Sequence, residues 1–182
     1  IAELVYKILQ VWRENGSGKK RGLSINLATA YFVPKPFTPF QWAAQITPEE
    51  YLRRVHLLQA NLHAKCVDYR YHESDLSRLE AVMARGDRRV GRALLEAHHY
   101  EKWLEAFRRA GLDPDFYTTR GYGVDEILPW QTIDVGVTTN FLLREREKAL
   151  RSESTPDCRT HCNGCGARRL SERGLCDESP AV

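Results

Sequence analysis

Residues 23–50 read LSINLATAYFV PKPFTPFQW AAQI TPEE, and three structural signals follow one another in them. Leu23–Val33 is rich in strand formers and bounded by Gly22 and Pro34. Its apolar residues fall on both faces, which predicts a strand covered on both sides. In Pro34–Trp42 the prolines fix φ and push Val33, Lys35 and Thr38 toward extended conformations, so a stiff loop follows the strand. Thr47-Pro48-Glu49-Glu50 then supplies an N-cap, a proline in the first turn and a capping-box carboxylate. Leu52, Val55, Leu58 and Leu62 form the buried stripe of a helix running to about Lys65. Cys66–Tyr71 (CVDYRY) reads as a second short strand. Strand, loop, helix and strand make one step of an α/β repeat. Stiff loops behind strand C-termini are where α/β barrels carry their chemistry, so Lys35, Phe37, Thr38 and Gln41 are candidate substrate-facing residues. A structural corner, with Phe37, Phe40 and Trp42 plugging one end of the fold, fits the same residues.

On the N-terminal side, Ile1, Leu4, Val5, Ile8, Leu9 and Trp12 recur at helical spacing with no capping residue before them. The chain therefore reads as a fragment of a longer protein, with a processed chain as the alternative. That helix is expected to stop near Glu14, ahead of Asn15-Gly16-Ser17-Gly18. On the C-terminal side the pattern is mainly helical. Leu76, Leu79, Val82 and Met83 share a face that ends at Arg85-Gly86, and Asp87 can cap a helix carrying Val90, Leu94 and Leu95. A third helix, roughly Tyr100–Ala110, stops at Gly111. Leu112–Trp130 is loop-rich, Ile133–Val137 reads as a short strand, and Thr138 or Thr139 caps a last helix to about Arg151.

With 42% hydrophobic and 28% charged residues, the 182-residue chain can bury a core. Its net charge of +3 does not by itself argue for nucleic acid. No apolar run approaches the roughly 18 residues of a membrane span. Four of the five cysteines, Cys158, Cys162, Cys165 and Cys176, are spaced C-x3-C-x2-C-x10-C. That clustering points to metal ligation in a reducing, cytoplasmic compartment rather than to a disulfide framework.

The PKP-x-TPFQW run resembles the region after the sixth barrel strand in a family of bacterial radical S-adenosylmethionine (SAM) proteins with an upstream cobalamin-binding domain. LEAVMARGDRR (79–89), GLDPDFY (111–117), LPW (128–130), IDVGV (133–137), FLLRERE (141–147) and TPDCR (155–159) resemble the C-terminal half of the same family, in order. Phe37 departs from the pattern, standing where the family favours His. The resemblance implies an α/β fold. Residues 1–72 would be the last β/α segment of a partial TIM-like radical SAM barrel, 73–151 a helical extension and 152–182 a Cys-rich metal-binding tail. It also implies a [4Fe–4S] cluster and SAM in the full-length protein, with the cluster motif upstream, cobalamin in a preceding domain, and no activity for this chain alone. The missing N-terminal part of the same protein would be its partner, and no substrate is implied.

Cys158-x3-Cys162-x2-Cys165 has the spacing that leaves one iron of a [4Fe–4S] cluster open to SAM. Against that role stand its C-terminal position, Gly164 where an aromatic residue usually precedes the third cysteine, and the lack of a following barrel. CNGCG reads instead as a thiolate knuckle whose glycines tolerate positive φ. With Cys158 and Cys176 it would close a four-thiolate site for zinc or an auxiliary iron–sulfur cluster. The alternative to the enzyme reading is a non-catalytic, zinc-stabilised binding module for RNA, motivated by the basic tail and aromatic-rich loops.

Overall fold

The structure, a computed structural model, describes residues 1–16, 22–99, 102–159 and 161–170. Among these the elements run α1 (Ala2–Asn15), β1 (Ile25–Thr29), α2 (Pro48–Ala60), β2 (Val67–Tyr71), α3 (Ser74–Arg85), α4 (Val90–His99), α5 (Trp103–Arg109) and α6 (Thr139–Leu150). Short 3-10 turns at Pro114–Phe116 and Ala167–Leu170 complete the list. The class is mixed α/β, with helices predominating and a two-stranded parallel sheet. No helix among the described residues is long and apolar enough to cross a membrane.

The chain forms two compact units, residues 1–33 with 46–79, and residues 34–45 with those from 80 onward. In the first unit β1 and β2 pair in parallel, Ile25 opposite Val67 through Thr29 opposite Tyr71. Parallel neighbours cannot be joined by a hairpin, and α2 lies on the connection between them. Thr47 caps α2 as its sequence dictates, its Oγ1 accepting the Glu50 N–H at 3.3 Å, with Pro48 opening the helix. The helix ends at Ala60 rather than near Lys65. Asn61 Nδ2 takes the Leu57 carbonyl at 2.7 Å and the Asn61 N–H folds back on Leu58, so the side chain competes with further helix.

Tyr31, Tyr51 and Val55 form the buried centre of this unit, with Ile46 and Tyr69 packed against them. The Tyr31 and Tyr51 rings stack at 4.3 Å, 4° from parallel. Both hydroxyls donate to backbone carbonyls, Tyr31 to Ile46 and Tyr51 to His72, so each buried ring keeps its polar tip satisfied. Strand β1 is narrower than its composition suggests. Ile25, Leu27 and Thr29 are half-buried while Asn26 and Ala28 are exposed, so one face is covered rather than two. The apolar stripe of α1 divides likewise. Val5 and Leu9 are buried, whereas Leu4, Ile8 and Val11 are exposed and line a groove with Trp12 and Leu23.

In the second unit Trp42, Tyr122, Leu128, Trp130 and Leu142 form the core, flanked by Phe37, Val137, Phe141 and Leu143. Helices α4 and α5 pack together. Thr138, not Thr139, caps α6, accepting the Phe141 N–H at 3.3 Å. The expected strand at Ile133–Val137 does not form. Asp134 Oδ1 accepts the Gly136 N–H at 2.8 Å and Gly136 sits at φ 81, so a side-chain-closed turn replaces the extended backbone. Replacing Thr47 with Ala removes the cap of α2 and should cost about 1 kcal/mol. Urea unfolding followed by circular dichroism should show the lower midpoint with an unchanged slope.

Candidate functional site

Pro34–Trp42 belongs to the second unit, where it closes as a chain of turns. Gln41 N–H donates to Thr38 O at 3.0 Å and Thr38 Oγ1 donates to Lys35 O at 2.8 Å. Phe37 is held at φ 58, the left-handed region that a non-glycine residue adopts only when its surroundings impose it. Here the imposing group is Gln41. Its Oε1 accepts the Phe37 N–H at 3.0 Å and the Trp130 indole N–H at 2.9 Å, and the residue is only 4% exposed. One buried carbonyl thus ties the proline loop to the LPW segment. The Tyr122 N–H donates to Trp42 O at 2.9 Å and adds a backbone tie.

Beside these contacts lies a half-open cavity of about 350 Å³. Phe37, Trp42, Trp130, Leu128, Val137 and Leu142 belong to its aromatic and apolar wall, and Gln41, Gln131, Asp134, Thr138, Thr139 and Arg169 supply its polar groups. The volume is at the small end of ligand sites. Of the loop residues expected to face substrate, Phe37 and Gln41 line this cavity. Lys35 and Thr38 do not, Lys35 pairing with Glu80 at the surface.

Behind Trp130 lies a cluster that the sequence does not announce. The Tyr122 ring meets Trp130 edge-on at 5.8 Å, and two guanidinium groups sit over it, Arg85 at 4.6 Å and Arg120 at 4.5 Å. Arg120 is paired with Glu126 through contacts of 2.8 and 3.1 Å. Arg85 is 0% exposed; its Nη1 donates to Thr118 O at 3.3 Å, and among the described residues its Nε and Nη2 have no partner. Burial pulls the Arg85 pKa down and pushes the Tyr122 phenol up, so Tyr122 is neutral and its ring face carries the attraction to the cations. Arg85 lies at the end of a helical stripe, where periodicity places a solvated charge, so the pattern gave no sign of its burial.

The cysteine tail docks on α6. Thr155 donates to Glu145 at 2.5 Å and Lys148 bonds the same carboxylate at 3.1 Å, and with the Thr155 bond first these hold Glu145 below the usual carboxylate range. Arg144 Nη2 takes the Asn163 carbonyl at 2.7 Å, and Asn163 Nδ2 takes Pro156 O at 2.8 Å. Gly164 and Gly166 adopt φ 65 and 94, as the knuckle reading requires. A Cβ at Gly166 would come within 2.7 Å of Thr138 Cγ2 and 2.8 Å of Gly136 O, so only glycine fits there. The Thr138 N–H donates to Cys165 O at 2.9 Å, which brings the knuckle backbone onto a residue lining the cavity.

Cys158 is exposed, Cys162 and Cys165 are half-buried, and none of the three forms a disulfide. The loop conformation and the thiol donors suit a soft metal ion. Among the described residues, however, no three His, Cys, Asp or Glu side chains converge on a metal-sized site. Cys176, the fourth expected ligand, lies outside the described residues. No family model, curated protein or solved structure matches the chain.

Gln41→Leu should cost about 1–3 kcal/mol, because it leaves the Trp130 indole and Phe37 N–H groups buried without an acceptor. The check is urea unfolding monitored by tryptophan fluorescence. Gly166→Val should loosen the tail while leaving the core folded, read as faster trypsin cleavage at Arg159 with unchanged helicity.

Proposed function

We propose that this chain is the C-terminal part of a cytoplasmic radical SAM enzyme, contributing a wall of the substrate region and an accessory metal site. The observation that carries the reading is the meeting of three separate motifs of the resemblance on one cavity. The proline loop enters through Phe37 and Gln41, the LPW segment through Leu128 and Trp130, and the IDVGV segment through Asp134 and Val137. The exposed apolar face of α1 and the single pairing of β1 and β2 also suit a unit that continues a larger barrel.

On this reading the reactive [4Fe–4S] cluster and SAM, which together supply an organic radical on reduction, are held by residues upstream, with cobalamin in a preceding domain. The rest of that polypeptide is the chain's partner. Phe37, Trp42 and Trp130 exclude water from one side of the substrate, and Gln41 fixes the loop that positions them. Cys158, Cys162, Cys165 and Cys176 hold zinc or an auxiliary cluster that braces the tail. With all four positions filled by protein thiolates, such a site is closed and leaves no coordination position for substrate.

Anaerobic purification of the chain, followed by metal analysis and an absorption spectrum, tests the accessory site. The expected result is about one zinc or one cluster per chain, lost in the double variant Cys162→Ser, Cys165→Ser. Neither metal at any level would remove the site from the account. A second assay supplies the iron-reconstituted, reduced chain with SAM. No 5′-deoxyadenosine is expected, and its formation would move the reactive cluster to Cys158, Cys162 and Cys165. The coding sequence 5′ of Ile1 tests the enzyme itself. A C-x3-C-x2-C motif early in a barrel supports it, and a coding sequence lacking that motif contradicts it.

A further inference from the structure

We infer that the cavity beside Gln41 is a binding site for a single polyhydroxylated ring, a pyranose either free or at the end of a larger molecule. As a statement about binding this stands on the cavity alone. As a statement about substrate it rests on the radical SAM reading, which its test does not need.

Two features set the class of ligand. The first is the state of the polar groups, which offer donors and acceptors together. Gln41 is 4% exposed and its Oε1 is filled by two N–H groups, but its Nε2 has no acceptor among the described residues. Unlike the Trp42 indole nitrogen, which is sealed from the cavity, that amide nitrogen keeps accessible surface. Gln131 repeats the pattern, its Oε1 accepting the Leu128 N–H at 3.0 Å and its Nε2 left open. Arg169 spends one guanidinium nitrogen on Asp134 Oδ1, at 2.5 Å, and keeps further N–H groups. On the acceptor side, Asp134 Oδ2 and the Thr139 hydroxyl have no partner among the described residues, and both residues are exposed. A hydroxyl both donates and accepts, so a ring carrying several of them answers both kinds of group. A carboxylate ligand leaves Asp134 unanswered, and an ammonium ligand leaves the two amides and Arg169 unanswered.

The second feature is the wall. Phe37 is the most accessible of its three aromatic residues, half-buried where Trp42 and Trp130 are 2% and 7% exposed. It packs against the cluster that holds both tryptophans. Its backbone sits at φ 58 with its N–H on Gln41 Oε1, so the ring and the amide donor beside it are fixed together. Strain of this kind accompanies ligand contacts. The face of an aromatic ring carries partial negative charge, and the C–H groups on one face of a pyranose, polarised by their oxygens, carry partial positive charge. A pyranose laid on Phe37 keeps its hydroxyl rim for the amides, Asp134, Thr139 and Arg169 around the same cavity. A half-open space of about 350 Å³ admits one such ring and leaves the rest of a longer molecule outside.

The test is a titration of the ¹⁵N-labelled chain followed by the Trp130 indole N–H resonance, identified by its loss in Trp130→Phe. The probes are the methyl glycosides of glucose, galactose and mannose. Cyclohexanol supplies a ring with one hydroxyl, and glycerol supplies hydroxyls without a ring. The expected result is a saturable shift by at least one glycoside, with Kd of about 1 mM or tighter, and binding of both controls at least about tenfold weaker. The double variant Asp134→Asn, Thr139→Val removes both open acceptors but keeps an Oδ1 for the Gly136 N–H. It should bind the glycoside about tenfold more weakly and unfold at a midpoint near that of the parent chain. Thr139→Val alone changes an exposed side chain beside the Thr138 cap, and should weaken binding about threefold. Absence of a saturable shift by any glycoside in the folded chain overturns the inference. So does equal binding of cyclohexanol or glycerol, or undiminished binding by either folded variant. The metal and upstream-motif tests report the radical SAM reading separately, so failure of one does not carry the other with it.

Discussion

The second unit depends on one side-chain carbonyl. Gln41 Oε1 is buried and accepts two N–H groups, from the nearby Phe37 backbone and from the Trp130 indole 89 residues further along the chain. A hydrogen bond of this kind has a modest net worth while both partners are in place, but leaving its members buried and unpaired is costly. The arrangement therefore selects one loop conformation among many that prolines alone would allow. Phe37 accepts a left-handed backbone in consequence, and Trp42 and Trp130 are presented to the same space.

The second polar commitment of this unit is the stack of Arg85 and Arg120 on Tyr122. A guanidinium with no exposure is stabilised only partly by one backbone carbonyl and a ring face, since taking a charge out of water costs several kcal/mol. The ring it faces is the one that meets Trp130, so the packing that buries the cation also backs the cavity wall. Glu126 pairs with Arg120, leaving Arg85 as the more weakly compensated of the two charges.

The elements that follow from local chemistry were legible. Thr47-Pro48 announces the start of α2, Thr138 the start of α6, and the two tail glycines the positive φ that the structure displays. The ends were less so. Asn61 stops α2 early because its side chain reaches back to the Leu57 carbonyl, a choice invisible to periodicity. Ile133–Val137 has strand composition, yet Asp134 closes a turn within it. The site was half legible. Phe37 and Gln41 stood out because prolines stiffen their loop, whereas the burial of Arg85 and the pairing of Gln41 with Trp130 arise from contacts across long separations, which no local pattern encodes.

A loop, a tryptophan segment and a thiol-bearing tail thus share one neighbourhood, and the functional account rests on their being built as a unit. A double-mutant cycle of Gln41→Leu and Trp130→Phe, read by urea unfolding, measures that unity directly. The account predicts that the two changes are coupled by about 1 kcal/mol or more, each removing the same bond. Costs that add to within about 0.5 kcal/mol would contradict it.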